Sequence, residues 1–493
     1  MLNRSRVLAS AAIIAVISSV GAPAWADTLQ EAIALAYRTN PTILAQRANQ
    51  RALDETIVAA RAGLRPTLSA SVGADYTKTW TDGGPDVESD GASASVSVSQ
   101  PLWTAGRVGH SISAAEANIL AGREGLRDTE QTVLAAVIQA YADVIRDTEI
   151  LRIRQANLGV LQRQLEESSA RFEVGEITRT DVAQSEARLA QSEADLAQAQ
   201  AQLSVSRAGY AAVVGQAPGN LEAMPVLPGV PTDFDSALDV AMQDNPSVRS
   251  AGWALRAAEA EVAAARADYL PSASVTASYG GATNDIGRFS DLANNTTFRA
   301  GATLSVPLFT GGLTSSRVAQ ARERANAAQI GVEGERRNTL QAVSSAYAQS
   351  ISARSTLQAG REAVRAATVA AEGVRQEAQV GLRTTLDVLN QELELRSAEV
   401  TLASAQRNEY VAQAQLLAAM GRLEGPDLDP TLEAYDPAAN YNRVRNRGAL
   451  PWDGVLETLD RVAAPPVMPA VDAEDAPIDQ QLKSEVVQTA PRN

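Results

Sequence analysis

Four short stretches of the chain alternate small polar and apolar residues one for one: 67–80, 91–100, 272–282 and 296–306. In the first, Leu68, Ala70, Val72, Ala74 and Tyr76 share one face and Ser69, Ser71, Gly73, Asp75 and Thr77 the other. In the fourth, Phe298, Ala300, Ala302, Leu304 and Val306 alternate with Thr297, Arg299, Gly301, Thr303 and Ser305. A period of two over about ten residues is the signature of a membrane-crossing β-strand, apolar toward lipid and polar toward a lumen. Two ordinary amphipathic hairpins fit the same alternation.

Between these stretches the pattern is helical. Residues 28–64 and 235–269 each predict a helix of about 35 residues, with Asn40-Pro41 and Asn245-Pro246 inside the first turns. After each hairpin, 105–171 and 312–378 run without an internal proline, so each predicts a helix of roughly 100 Å. A short turn, 174–178 or 380–384, leads into a return helix, 181–214 or 386–420. The return helices carry coiled-coil seams, Leu189, Ser192, Leu196, Ala199, Leu203 in one and Leu395, Ala398, Leu402, Ala405 in the other. Each long helix is therefore expected to lie along its return helix.

The chain says the same thing twice. Pro101-Leu102-Trp103-Thr104-Ala105-Gly106 returns 206 residues later as Pro307-Leu308-Phe309-Thr310-Gly311-Gly312, and Val174-Gly175 and Asp181-Val182 keep that spacing. A repeat this long predicts a duplicated structural unit, 27–215 and 234–423, joined by the linker 216–233. Pro66, Pro101, Pro271 and Pro307 bracket the strand–helix joints, as swivels or as plain helix stops. The remaining segment, 424–493, is rich in proline, and its end from about Ala463 is expected to be disordered.

Composition narrows the class. Arg4 and Arg6, the apolar run 7–20 and Ala24-Trp25-Ala26 form a secretory signal peptide, 1–26. No later stretch is long and apolar enough for a spanning helix, so a membrane home requires a closed β-barrel. Without the leader the chain has 41 basic against 58 acidic residues, which argues against nucleic acid as a partner. It has no Cys, a single His (His110, expected at the surface), and no G-x-S-x-G, H-E-x-x-H or phosphate loop. No catalysis, metal or cofactor is expected.

Four strands cannot close a barrel, and an open edge in lipid leaves backbone groups unpaired at several kcal/mol each. Three copies would supply about twelve strands, continuous with a second cylinder of helices. The predicted class is mainly α with a membrane β part: a homotrimer with a 12-stranded outer-membrane barrel and a periplasmic α-helical barrel. A non-conducting trimeric coiled-coil scaffold or adhesin accounts for the helices but not for duplicated lipid-facing strands.

This layout resembles the TolC-type outer-membrane efflux proteins. The resemblance is carried by both Asn-Pro helix starts, both Pro-Leu-Trp/Phe-Thr-x-Gly strand exits, Arg171-Phe172-Glu173-Val174-Gly175, Val380-Gly381, and the segments around Asp181 and Asp387. It implies a passive exit duct for tripartite efflux pumps or type I protein secretion. A periplasmic adaptor and an inner-membrane transporter would be its partners. Asp181 and Asp387 read equally as helix-start acids and, at the entrance, Asp387 as a ring of carboxylates that selects cations. By the resemblance Asn390 occupies a second ring position, and Arg383 matches a latch arginine with Thr180 and Asp181 as acceptors. A surface ion pair is the alternative. Gly175 and Gly381 supply turn geometry and are candidate adaptor contacts.

Overall fold

The computed structural model describes residues 28–470; the signal peptide and the last part of the tail lie outside the described residues. The first helical region is not one helix. It forms α1 (Leu29–Thr39), α2 (Pro41–Asp54) and α3 (Thr56–Ala62). Asn40 is the reason for the first break. Its extended backbone ends α1, while its side-chain oxygen accepts from the Thr42 amide at 2.9 Å and so caps α2, with Pro41 at the first helical position. The Asn40 amide also donates to the Val213 carbonyl at 2.8 Å.

The hairpin β1 (Thr67–Thr79) and β2 (Val87–Trp103) follows, then the 67-residue α4 (Arg107–Glu173) and the return helix α5 (Arg179–Val214). The pattern repeats as α6 (Phe234–Asp244), α7 (Pro246–Ala267), β3 (Ser272–Thr283), β4 (Thr296–Ser305), the 67-residue α8 (Leu313–Gln379) and α9 (Thr385–Ala419). Asn245 repeats the clamp, accepting from Ser247 and donating to the Ala419 carbonyl, both at 2.9 Å. The second predicted 35-residue helix is thus also broken, at the same motif.

The four strands make one antiparallel sheet in the order β1-β2-β3-β4. Its polar face is laced by Ser69–Ser97 and Ser71–Ser95 hydroxyl pairs at 2.8 and 2.9 Å. The other face sets Leu68 against Val98, Val96 against Tyr279 and Tyr279 against Phe298, and it is open: Leu68, Val72 and Phe298 are 72, 78 and 68% exposed. A bulge between Pro101 and Trp103 inserts Leu102, so Trp103 pairs with Ala273 and moves onto this apolar face. Pro101 therefore lies within β2. Pro66 and Pro271 directly precede β1 and β3, and Pro307 follows β4. Neither β1 nor β4 has a second partner strand among the described residues.

The main core sits halfway along the helices. Ile33, Ile43, Leu134, Ile138, Tyr141, Tyr210, Val214 and Leu417 are buried where α1, α2, α4, α5 and α9 meet. The predicted seams carry the hairpin packing: Ser192, Ala199, Leu203 and Leu395 are buried. Helix α9 buries a second face, with Tyr410, Val411 and Ala414 in the α4 core.

The C-terminal segment does not hang free over its described part. It contains α10 (Gly425–Leu428), α11 (Ala438–Val444) and α12 (Asp453–Asp460) and runs along the helices toward the sheet. Glu424 pairs with Arg127, Asn440 donates to the buried Asp54 at 2.9 Å, and Asp453 pairs with Arg65 at 3.0 Å. The Asp460 carboxylate is wholly buried against the start of α4, accepting from the Thr104 hydroxyl at 2.7 Å and the Gly109 amide at 3.2 Å. His110 is not a plain surface residue: it is half-buried, and its Nε2 lies 2.9 Å from the Pro465 carbonyl. The expected disorder from Ala463 does not hold through Ala470, whose amide donates to Glu259 at 3.2 Å; beyond it the expectation falls outside the described residues.

Candidate functional site: the helix-turn tips

The two long hairpins turn through matching glycines. Gly175 and Gly381 have φ of +79° and +77°, left-handed backbone that a side chain would strain. The amides of Glu176 and Leu382 close the turns on the carbonyls of Arg171 and Glu377, both at 2.9 Å.

Each return helix then starts with a capping box. Thr178 caps α5, and the Asp181 carboxylate accepts from the Thr178 amide and hydroxyl at 2.9 and 2.7 Å. Thr384 and Asp387 repeat this at 3.0 and 2.8 Å. The partner of Asp181 in the box is thus Thr178. Hydrogen bonds from the Thr178 side chain and then its backbone hold the Asp181 carboxyl below the usual range; for Asp387 the Thr384 backbone leads and its side chain follows. Both acids are ionised at neutral pH and fold back onto their own helix starts.

Arg383 pairs with Glu377 of its own hairpin at 2.7 Å. The described chain does not bring it to Asp181 or Thr180, and Thr180 stands exposed in the first turn of α5. Asn390 is exposed one turn above Asp387, and its side-chain oxygen accepts from Arg188 Nη2 at 3.3 Å. This link joins α5 to α9, hence one hairpin to the other. Arg188 was not singled out by the sequence; the available signal is that its repeat counterpart, 206 residues on, is the acid Glu394. On the buried side of α9, Glu392 is 2% exposed and held by Arg375 and Arg396. A cleft of about 510 Å³ opens between α4 and the second hairpin, lined by Arg163, Glu167, Arg171, Arg375, Thr385 and Val388.

The family model described as outer membrane efflux protein matches the chain twice, over residues 32–216 and 237–422. The outer membrane efflux protein BepC of Brucella suis is 32% identical over 92% of this chain and 97% of its own. The alkaline protease secretion protein AprF of Pseudomonas aeruginosa is 28% identical over 89% and 93%. The structure of the open state of the Neisseria gonorrhoeae MtrE outer membrane channel is 25% identical, covers 80% of this chain and 89% of its own, and superposes with a TM-score of 0.68.

Proposed function

The chain belongs to the outer membrane efflux protein family, a family of channels rather than enzymes, and from that premise we propose how it works. It resides in the outer membrane. Three copies join their sheets edge to edge, β4 of one to β1 of the next, into a closed 12-stranded barrel. Their paired helices continue below it as a periplasmic tube. One observation carries the assembly: among the described residues, a sheet whose one face is apolar and open over Leu68, Val72, Tyr279 and Phe298, with charge (Lys78, Glu88, Asp90) only toward the β1–β2 tip, and whose two edges have no partner. Such a sheet is unstable in lipid until its edges are paired. The mature protomer then consists of the repeats 27–215 and 234–423, the linker 216–233 and the segment 424–493.

The tube is a passive exit duct for a tripartite efflux pump or a type I secretion machine; AprF's name supports the second use as BepC's supports the first. A periplasmic adaptor engages the tips around Gly175 and Gly381 and couples them to an inner-membrane transporter. Threefold symmetry gathers Asp387 into a carboxylate ring at the entrance, with Asn390 in a second, neutral ring. Between neighbouring protomers, Arg383 exchanges Glu377 for Thr180 and Asp181 as the latch. Pro66, Pro101, Pro271 and Pro307 let the barrel and the tube meet at an angle.

The test is ion selectivity. Purified mature protein should have three times the protomer mass, and its channels should prefer cations by reversal potential. Asp387→Ala should reduce that preference without changing the oligomer. Unchanged selectivity would leave Asp387 as a helix cap alone. Acid gives a second readout. Because the carboxyls of Asp181 and Asp387 are depressed, their stabilisation of the helix starts is complete above the unfolded carboxylate range and is lost as pH falls through the lower folded value. The cation preference should therefore be full at neutral pH and fall away only in acid, measured as reversal potential against pH.

A further inference from the structure

We propose that α12 lies in the headgroup layer of the inner leaflet, a lipid-contacting foot at the base of the barrel. The inference rests on the reading that the strands cross the membrane with their apolar face outward. The helix is two-sided. Leu456 and Asp460, four residues apart, are buried against the protein. Beside that buried edge Trp452, Val455, Leu459 and Val462 are 47, 69, 44 and 59% exposed, a contiguous apolar strip that water does not favour.

Its place in the fold says what covers that face. Asp460 is locked to Thr104 and Gly109, where β2 passes into α4. The bulge in β2 has turned Trp103 onto the apolar face of the sheet, and the Trp103 indole N–H donates to the Val462 carbonyl at 2.9 Å. The end of α12 is therefore attached to the outward surface, in line with Val98 and Val96, and not to the polar lumen side. Strand β1 spans Thr67–Thr79, roughly 40 Å of chain, which at a tilt near 45° crosses about 28 Å. Trp80 at the hairpin tip and Trp103 at the foot thus bracket one hydrocarbon thickness.

Charge agrees. The acids of α12 turn inward: Asp453 to Arg65 at 3.0 Å, Glu457 to Arg61 at 3.9 Å, and Asp460 to the start of α4. Arg461 stands exposed at its end, and Arg443, Arg445 and Arg447 are exposed in the segment that leads to it, Arg447 paired with Glu55 at 2.8 Å. An apolar strip with Arg461 at its end and its acids turned inward, on a chain of net charge −15, suits the acyl boundary and phosphates of a phospholipid leaflet.

The absence of cysteine allows a clean experiment. Nitroxide labels are placed singly at Val455→Cys, at Val72→Cys on the sheet's apolar face, and at Val226→Cys in the exposed linker. The full mature protein is reconstituted in phosphatidylethanolamine/phosphatidylglycerol vesicles. Collision rates with oxygen and with a water-soluble nickel chelate are compared. The oxygen-to-nickel ratio at 455 should exceed that at 226 several-fold and fall below that at 72, as a headgroup depth requires. A lipid reading at 72 with a water reading at 455 overturns the foot and spares the barrel. Shielding of 455 from both reagents shows protein, such as a second copy, over α12 and overturns it as well. A water reading at 72 removes the barrel reading itself, and the foot with it.

Discussion

Replacing Arg47 by alanine is expected to cost about 3–5 kcal/mol and to loosen the C-terminal segment around Tyr435. The Arg47 side chain is 9% exposed and pairs with Glu130, itself 17% exposed, at 3.0 Å. Its guanidinium stacks between the rings of Tyr37 and Tyr435, 4.3 and 4.6 Å from their centroids. The Tyr435 amide donates to the Tyr37 hydroxyl at 3.1 Å. One side chain therefore ties α1, α2, α4 and the C-terminal segment together. Alanine leaves Glu130 buried without its cation. Burial already outweighs Arg47 and raises the Glu130 carboxyl above its usual range, so the loss should be greatest at neutral pH. It should shrink as acid protonates Glu130, because a raised carboxyl adds stability below its unfolded value and loses it as pH rises through the folded one. Arg47→Lys keeps charge but not the planar stack, and should recover only part. Thermal unfolding across pH, with trypsin cleavage near Arg443–Arg447 as the local probe, checks this. A Tm and cleavage rate equal to wild type would remove Arg47 from the account.

The second large effect is in the sheet. Val72→Arg should cost about 2–4 kcal/mol per protomer at the bilayer midplane, and the cost recurs in every protomer of the assembly. Val72 lies near the middle of β1, opposite Ala94, and is 78% exposed. Its neighbour Ser71 faces the other way, its hydroxyl 2.9 Å from that of Ser95. Ser71→Arg should be tolerated, because an arginine in a water-filled lumen keeps its hydration. Outer-membrane fractionation should find little folded Val72→Arg and near-normal Ser71→Arg. The reverse outcome would turn the sheet inside out.

The strands and the long hairpins were legible because their determinants are local. A period of two needs only neighbours, and 67 residues without proline leave no place for a break. The breaks in the first helical regions were half legible. Asn40-Pro41 and Asn245-Pro246 are stop-and-start signals, yet their capping role shows only when each Asn clamps a carbonyl 173 or 174 residues away. Glu55 carries no such sign; its break has only a tight local turn onto Ala52 and Leu53. The C-terminal segment was illegible because its partners are remote. Asn440 answers Asp54 and Asp460 answers Thr104, pairings that no periodicity encodes. At the tips, the capping acids were visible by type and spacing. The Arg188–Asn390 link depends on how two hairpins pack, and the sequence offers for it only the change of sign between Arg188 and its repeat counterpart Glu394.

Single-channel recording in a planar bilayer separates a duct from a scaffold, with wild-type mature protein beside a variant carrying Arg188→Ala and Arg383→Ala. Wild type should open a small, cation-preferring conductance through a closed entrance. Removing Arg188, which joins α5 to α9, together with Arg383, the proposed latch, should enlarge it. A folded, membrane-inserted trimer that conducts in neither form would contradict the duct and leave a coiled-coil scaffold in its place.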